Sequence, residues 1–282
     1  MAPRVALATC AQLPELADDE PMLVEALSVR GVEAEPRVWD DPAVDWGAYG
    51  LVVVRSTWDY AARREQFVRW ADSVPRLLNS AAVIRWNTDK RYLAELPRAV
   101  PTEFVALGGS WEPPAGEIVV KPTISAGSKD TARYGPKDRT RARAHVQALT
   151  AAGRTAMVQP YLDAVDEHGE TALLFFGGQY SHAIRKGQML ERGRPPSEGD
   201  DLYVEEEISA REPDRQEREV AEEILDALRW SRHELLYARV DLIRGPDGAP
   251  QLVELELTEP SLFLSHSEGA AARLAEQLIQ RL

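Results

Sequence analysis

The stretch YARVDLIRGPDGAPQLVELELTEPS, residues 237–261, reads as two strands joined by a turn. Residues 236–243 and 251–257 alternate in the way strands require, and Gly245-Pro246-Asp247-Gly248 supplies the chemistry of a tight connection. Side chains two apart on a strand share a face. Glu254 and Glu256 therefore point one way, while Val253, Leu255 and Leu257 point the other. Asp241 lies on the partner strand, within reach of those carboxylates. Three acids on one sheet face repel one another unless a cation sits between them. Hard oxygen donors of this kind suit Mg²⁺. The same alternation also describes the solvated face of an amphipathic hairpin, and spacing leaves both readings open.

Working back from this hairpin, residues 171–176 and 180–185 form another, turning at Gly177-Gly178. The segment SHAIRKG closes it, where Arg185 or Lys186 is placed to meet a phosphate, a substrate carboxylate or solvent. A polar stretch over 187–201 lacks periodicity and is expected to be mobile. Helices are expected over 214–230 and 269–282.

The region before these hairpins carries EIVVKPTISAGSKDT. An apolar strand at 117–121 delivers Lys121, and Thr123, Ser125, Gly127 and Ser128 follow as a loop of small side chains. Small residues let backbone N–H groups approach phosphate oxygens, with the lysine as a point charge. The lysine precedes the small residues, so this is no Walker A loop. An ordinary turn with a surface lysine is the bland alternative. Strands at 100–107 and 156–161, a helix at 88–96 bearing Lys90 and a basic helix at 137–149 complete this region. MVQPYLDAVDEHGE then presents backbone groups suited to an adenine edge and acids suited to ribose hydroxyls, or else a solvated loop. His168 within it reads as solvent-exposed.

The first 80 residues alternate strand and helix: strands at 5–10, 32–39 and 51–55, helices at 20–30 and 61–74. Asp19 is the expected N-cap of the first helix, and Gly31 its stop. This alternation points to a doubly wound parallel sheet. Ligands bind beyond the carboxyl ends of such strands, here at the loop Ser56-Thr57-Trp58-Asp59-Tyr60. Asp59 suits a substrate ammonium or the cap of the next helix; Trp58 and Tyr60 suit pocket walls or packing.

Composition narrows the class. With 46 acids against 33 lysines plus arginines the formal charge is −13, which disfavours general binding to nucleic acid or anionic membrane. No apolar run approaches the roughly 20 residues of a membrane span, and the apolar start is too short for a signal peptide. The single Cys10 forms no internal disulfide, as expected of a cytoplasmic protein.

Taken in order, these features resemble the ATP-grasp superfamily, in its glutathione-synthetase-like branch. Within that branch the chain looks most like the cyclo-ligases that form D-cycloserine from O-ureido-serine. The resemblance implies a mixed α/β (α+β) chain with a Rossmann-like substrate domain (1–86), a lid domain (87–161) and a C-terminal antiparallel-sheet domain carrying the metal site (162–282). It implies ATP and Mg²⁺ as cofactors. Lys90 and Lys121 then match the phosphate-holding lysines, Ser125, Gly127 and Ser128 the lid loop, and Gln159, Tyr161 and Leu162 the adenine hinge. Glu170, with Asp166 as competitor, matches the ribose ligand. Asp241, Glu254 and Glu256 match the metal ligands, the last replacing the family's frequent Asn. Arg185 matches the arginine near the γ-phosphate, and together with Lys121 is expected to be catalytic. Ser56, Thr57, Asp59, Thr258, Ser261 and Arg185 are expected to choose a small amino-acid-like substrate. The implied activity joins a carboxylate to an amine through an acyl phosphate, with ring closure one form of it. The loop at 123–131 and the stretch at 187–201 are the expected water-excluding covers. Amino-acid ligation to a peptide or protein tail, or nucleotide binding without catalysis, remain alternatives. Members of the branch often form dimers or tetramers, so a homo-oligomer is expected.

Overall fold

The computed structural model describes residues 2–17, 19–188, 190 and 207–282. Most of the polar stretch expected over 187–201 lies outside them.

Three sheets organise the chain. The first comprises β1 (Arg4–Thr9), β2 (Glu33–Val38), β3 (Leu51–Val54) and β4 (Leu77–Leu78) in the order β2-β1-β3-β4. Every pairing in it is parallel. Helices α1 (Pro21–Ser28), α2 (Arg64–Ser73) and α3 (Ala81–Asn87) connect or follow these strands. A right-twisted parallel sheet needs such crossovers. Asp19 does not cap α1. Glu20 holds the N-cap position without a side-chain bond, because its carboxylate is bound to the buried Arg55. Asp19 instead accepts the Leu264 N–H.

The helix expected over 88–96 is a 3-10 turn, Lys90–Glu95, and α3 precedes it. Asp89 accepts the N–H of Arg91, a local bond that competes with helix continuation. Tyr92 and Leu93 of this turn are buried in the cluster that covers the C-terminal sheet.

The second sheet is antiparallel, with β5 (Glu103–Val105), β6 (Ile118–Pro122), β7 (Ala132–Tyr134) and β8 (Ala156–Pro160) in the order β5-β8-β6-β7. Helix α4 (Arg139–Ala151) covers it through Ala142, Val146 and Leu149. After the short α5 (Ala164–His168) comes the third sheet, also antiparallel: β9 (Glu170–Phe176), β10 (Gln179–Lys186), β11 (Ile208–Arg211), β12 (Tyr237–Arg244) and β13 (Pro250–Glu256) in the order β11-β10-β9-β12-β13. Its two faces are distinguished by strict alternation. Ala172, Leu174, Phe176, Ile184 and Tyr237 meet the first sheet, α1 and α7 (Ala270–Ile279). Leu173, Phe175, Ala183, Ala238 and Val240 meet α6 (Arg215–Asp226). Asp214 and Glu217 start α6 with a reciprocal capping box.

One irregularity matters to the site. Asp241 pairs with Glu254 and Leu242 with Leu252, so Val253 is the extra residue of a bulge. Val253 consequently leaves the face of Leu255 and Leu257, where simple alternation puts it, and packs with Val100 and Leu162.

Candidate active site

At the end of the third sheet that faces the second, the first-sheet face of β9, β10 and β12 changes from apolar to charged. Alternation carries the series Ala172, Ile184 and Tyr237 to Glu170, Lys186, Arg239 and Asp241. Arg239 and Asp241 lie across from Glu256 and Glu254 respectively. The result is one continuous polar floor built by period-two geometry.

Its ions are arranged in pairs. Lys186 Nζ lies 2.7 Å from both Asp241 Oδ2 and Glu170 Oε1. Arg239 Nε donates to Asp241 Oδ1 at 2.9 Å, and its Nη2 contacts Glu256. Lys90 Nζ stands 3.1 Å from Glu254 Oε1 and donates to the Ser125 carbonyl at 2.7 Å; Lys121 Nζ is 3.9 Å from Glu254 Oε2. Burial opposes the charge of Asp241, but Arg239 and Lys186 outweigh it and hold the carboxyl below its ordinary range. Lys90 and Lys121 do the same for Glu254. Glu256 is the exception: burial, with repulsion from Glu254 and Asp241, pushes it up to about 7 despite Arg239. Burial also lowers Lys121.

All of these groups except Asp241 line a cavity of about 530 Å³ between the second and third sheets. Lys90, Lys121, Ser125, Gly127, Ser128, Gln159, Tyr161, Leu162, Glu170, Glu254, Glu256 and Ser261 are all on its wall. Val100, Leu162, Ile243 and Val253 give its other end an apolar lining.

Several expectations are corrected. Arg185 does not line the cavity; it shares the α6 face of β10 with Ala183, and its Nε donates to the His168 carbonyl. Lys186 and Arg239 supply the cations there instead. Arg239 was legible from the same alternation, two residues before Asp241. Asp241 is 1% exposed and sits behind the wall, enclosed by Lys186 and Arg239. Among the described residues no three acidic, histidine or cysteine side chains gather as a metal-ready group. Asp166 is occupied with Arg133 and Tyr161, leaving Glu170 as the acid at that edge of the cavity.

The expected substrate loop also divides. Ser56 accepts the Ala17 N–H, Thr57 is buried and Asp59 is bound to Trp39 and Arg63. Thr258 donates to Asn87. All four lie off the cavity wall, which is formed by their neighbours Trp58, Tyr60 and Glu259. A strand-end loop alternates its side chains between core and ligand, and the sequence does not show which set turns inward.

This arrangement of a parallel sheet, a small lid sheet and an ion-lined antiparallel sheet is the architecture of an ATP-grasp ligase. D-alanine–D-alanine ligase from Bacillus anthracis shares the fold, with a TM-score of 0.65 at 14% identity over 99% of this chain and 97% of that one. Residues 5–79 match the family described as D-cycloserine synthetase DcsG, N-terminal domain. The cycloserine biosynthesis protein DcsG of Streptomyces lavendulae is 40% identical over 94% of each chain. A crystal structure of D-cycloserine synthetase DcsG superposes with a TM-score of 0.87, at 39% identity over 99% of each chain. The chain belongs to the DcsG family. It is an enzyme, and its class is the ATP-grasp ligases. No helix among the described residues is long and apolar enough to cross a membrane.

Proposed function

We propose that this ligase closes a ring on a small amino-acid-like substrate of the O-ureido-serine type, consuming ATP. The supporting observation is the pairing of Lys90, Lys121, Lys186 and Arg239 with Glu170, Asp241, Glu254 and Glu256 at one end of the cavity. Such a balanced ionic wall receives a triphosphate by exchange: phosphate oxygens take the cations, and the carboxylates are released to a divalent ion. The donor set fits magnesium, being all hard oxygen, and the raised Glu256 marks negative charge that a cation would relieve. Asp241, Glu254 and Glu256 would hold the ion, which supplies charge neutralisation at the phosphates. The adenine belongs in the apolar end beside Gln159–Leu162, with Glu170 toward the ribose.

In the first step a substrate carboxylate oxygen attacks the γ-phosphorus and ADP departs. Position and charge are what such a transfer needs; Lys90, Lys121, Lys186 and Arg239 provide both. In the second step an amine nitrogen on the same molecule attacks the acyl carbon and phosphate leaves. Tethering the two reacting groups gives a large effective concentration. The loop at 123–131 borders the cavity and is the element suited to keep water from the acyl phosphate.

ADP release with Mg²⁺ tests this reading. O-ureido-serine alone, without a second amine, is expected to support turnover. A requirement for two different substrates overturns the ring-closure assignment.

A further inference from the structure

Five acids line the cavity, and four have partners that account for them. Glu170, Glu254 and Glu256 face Lys186, Lys90 and Arg239. Asp19 accepts the backbone N–H of Leu264. Glu259 is 8% exposed and has no ion pair among the described residues; the Tyr60 hydroxyl is the polar side-chain group beside its carboxylate. Lys90 acts on it only at longer range, being held by Ser125 and Glu254.

The backbone around Glu259 is tied down on every side. Trp58 Nε1 donates to the Glu259 carbonyl at 2.9 Å. Arg55 Nη2 donates to the Pro260 carbonyl at 2.9 Å and the Tyr237 hydroxyl to the Thr258 carbonyl at 2.8 Å. Arg55 is itself clamped by Glu20. A buried carboxylate held this rigidly without a counter-ion costs free energy. Burial and the Glu256 charge accordingly push Glu259 up to about 8. A cation bound beside it would restore its charge.

We infer that Glu259, with Tyr60, is the specificity-determining acceptor for the protonated amine of an amino-acid substrate. An ammonium is small enough to meet the carboxylate and hydroxyl together, and charge-assisted bonds of this kind are strong. In an α-amino acid the carboxylate to be phosphorylated lies one carbon from this nitrogen, so anchoring the ammonium also fixes where that carboxylate stands.

This inference rests on the ligase reading, and its test separates the two. ADP release is measured with O-ureido-serine and with its des-amino counterpart, 3-(ureidooxy)propanoate, in the wild type, Glu259→Gln and Tyr60→Phe. The wild type is expected to favour the amino compound by about 10- to 100-fold in kcat/KM, the range of one charged hydrogen bond. Glu259→Gln is expected to remove most of that preference through KM, with KM for ATP unchanged; Tyr60→Phe is expected to weaken it partly. Equal use of both compounds by the wild type overturns the inference while the ligase reading stands. So does a Glu259→Gln enzyme that keeps the preference and loses only kcat, the result a general base would give. A wild type that releases ADP with neither compound overturns the substrate reading and the inference with it.

Discussion

Asp241 and Glu254 stand directly opposite one another across β12 and β13, yet only Glu254 faces the cavity. The bulge at Val253 begins at this pair and re-aims the strand so that Glu254 and Glu256 border open space. Lys186 and Arg239, from β10 and β12, close over Asp241. One carboxylate is thus poised at the surface of the site, and the other anchors two of its cations.

Glu254 is expected to be needed for turnover and dispensable for folding. Its side chain is partly exposed, and Lys90 retains the Ser125 carbonyl without it. Glu254→Gln keeps size and hydrogen bonding but removes charge from the phosphate-facing wall. ADP release should fall by at least about 100-fold, with a cooperative thermal transition retained. Near-normal turnover in this variant removes Glu254 from the proposed metal set.

Asp241 is expected to matter to folding as well, because its loss leaves two buried cations short of a partner. Asp241→Asn should lower unfolding free energy by about 3–5 kcal/mol, the cost of breaking a buried pair. Lys186→Met should cost less, since Arg239 still faces Asp241. Combining both changes should recover part of the Asp241→Asn loss, since without Asp241 the buried Lys186 keeps only Glu170 of its two acids. Urea titrations of the three variants read this directly; simple additivity contradicts the network.

Which parts of this were legible in the sequence follows from what each signal depends on. Period-two alternation is local, and it correctly put Glu254 and Glu256 on one face. The same rule misassigned Val253, because a bulge is fixed by pairing between strands. The N-terminal strands β1, β2 and β3 were found to within a residue or two, as short apolar runs. The small strands β4, β7 and β11 were not, since two to four residues carry too little pattern. The loop position of Asp59 suggested either a ligand group or a helix cap, but the Trp39 indole and Arg63, distant in sequence or set by a turn, claim its oxygens. Membership in a mixed α/β ligase fold survived these errors because it rests on the order of elements.

Arg185 and Arg239 offer a direct contrast between chain order and geometry. Arg185 is half-buried on the opposite face of β10 and donates to the backbone carbonyl of the exposed His168. Arg185→Ala should change ADP release by less than about 3-fold, as expected of surface substitutions. Arg239→Ala removes the guanidinium that binds both Asp241 and Glu256, and should reduce kcat by at least about 100-fold. Steady-state assays on the two variants decide between them; a severe Arg185→Ala defect with a mild Arg239→Ala one reverses the assignment.

His182 gives the fold an acid-sensitive point away from the chemistry. Its ring is buried, with Nε2 donating to the Leu262 carbonyl at 3.0 Å and Nδ1 paired to the Ser181 hydroxyl at 2.9 Å. Burial, aided by the nearby Arg273, lowers its pKa from 6.5 to about 4 although the Leu262 bond opposes the shift. The folded ring therefore stays neutral where the unfolded one is already protonated. Its contribution is complete above pH 6.5 and is lost as pH falls toward 4, at about 1.4 kcal/mol per pH unit. His182→Gln keeps a donor for Leu262 but cannot titrate. The difference in unfolding free energy between wild type and this variant should shift by about 2–3 kcal/mol in the variant's favour between pH 7 and pH 4.5. Urea unfolding at those two pH values measures it; a difference that stays constant means His182 does not govern this loss.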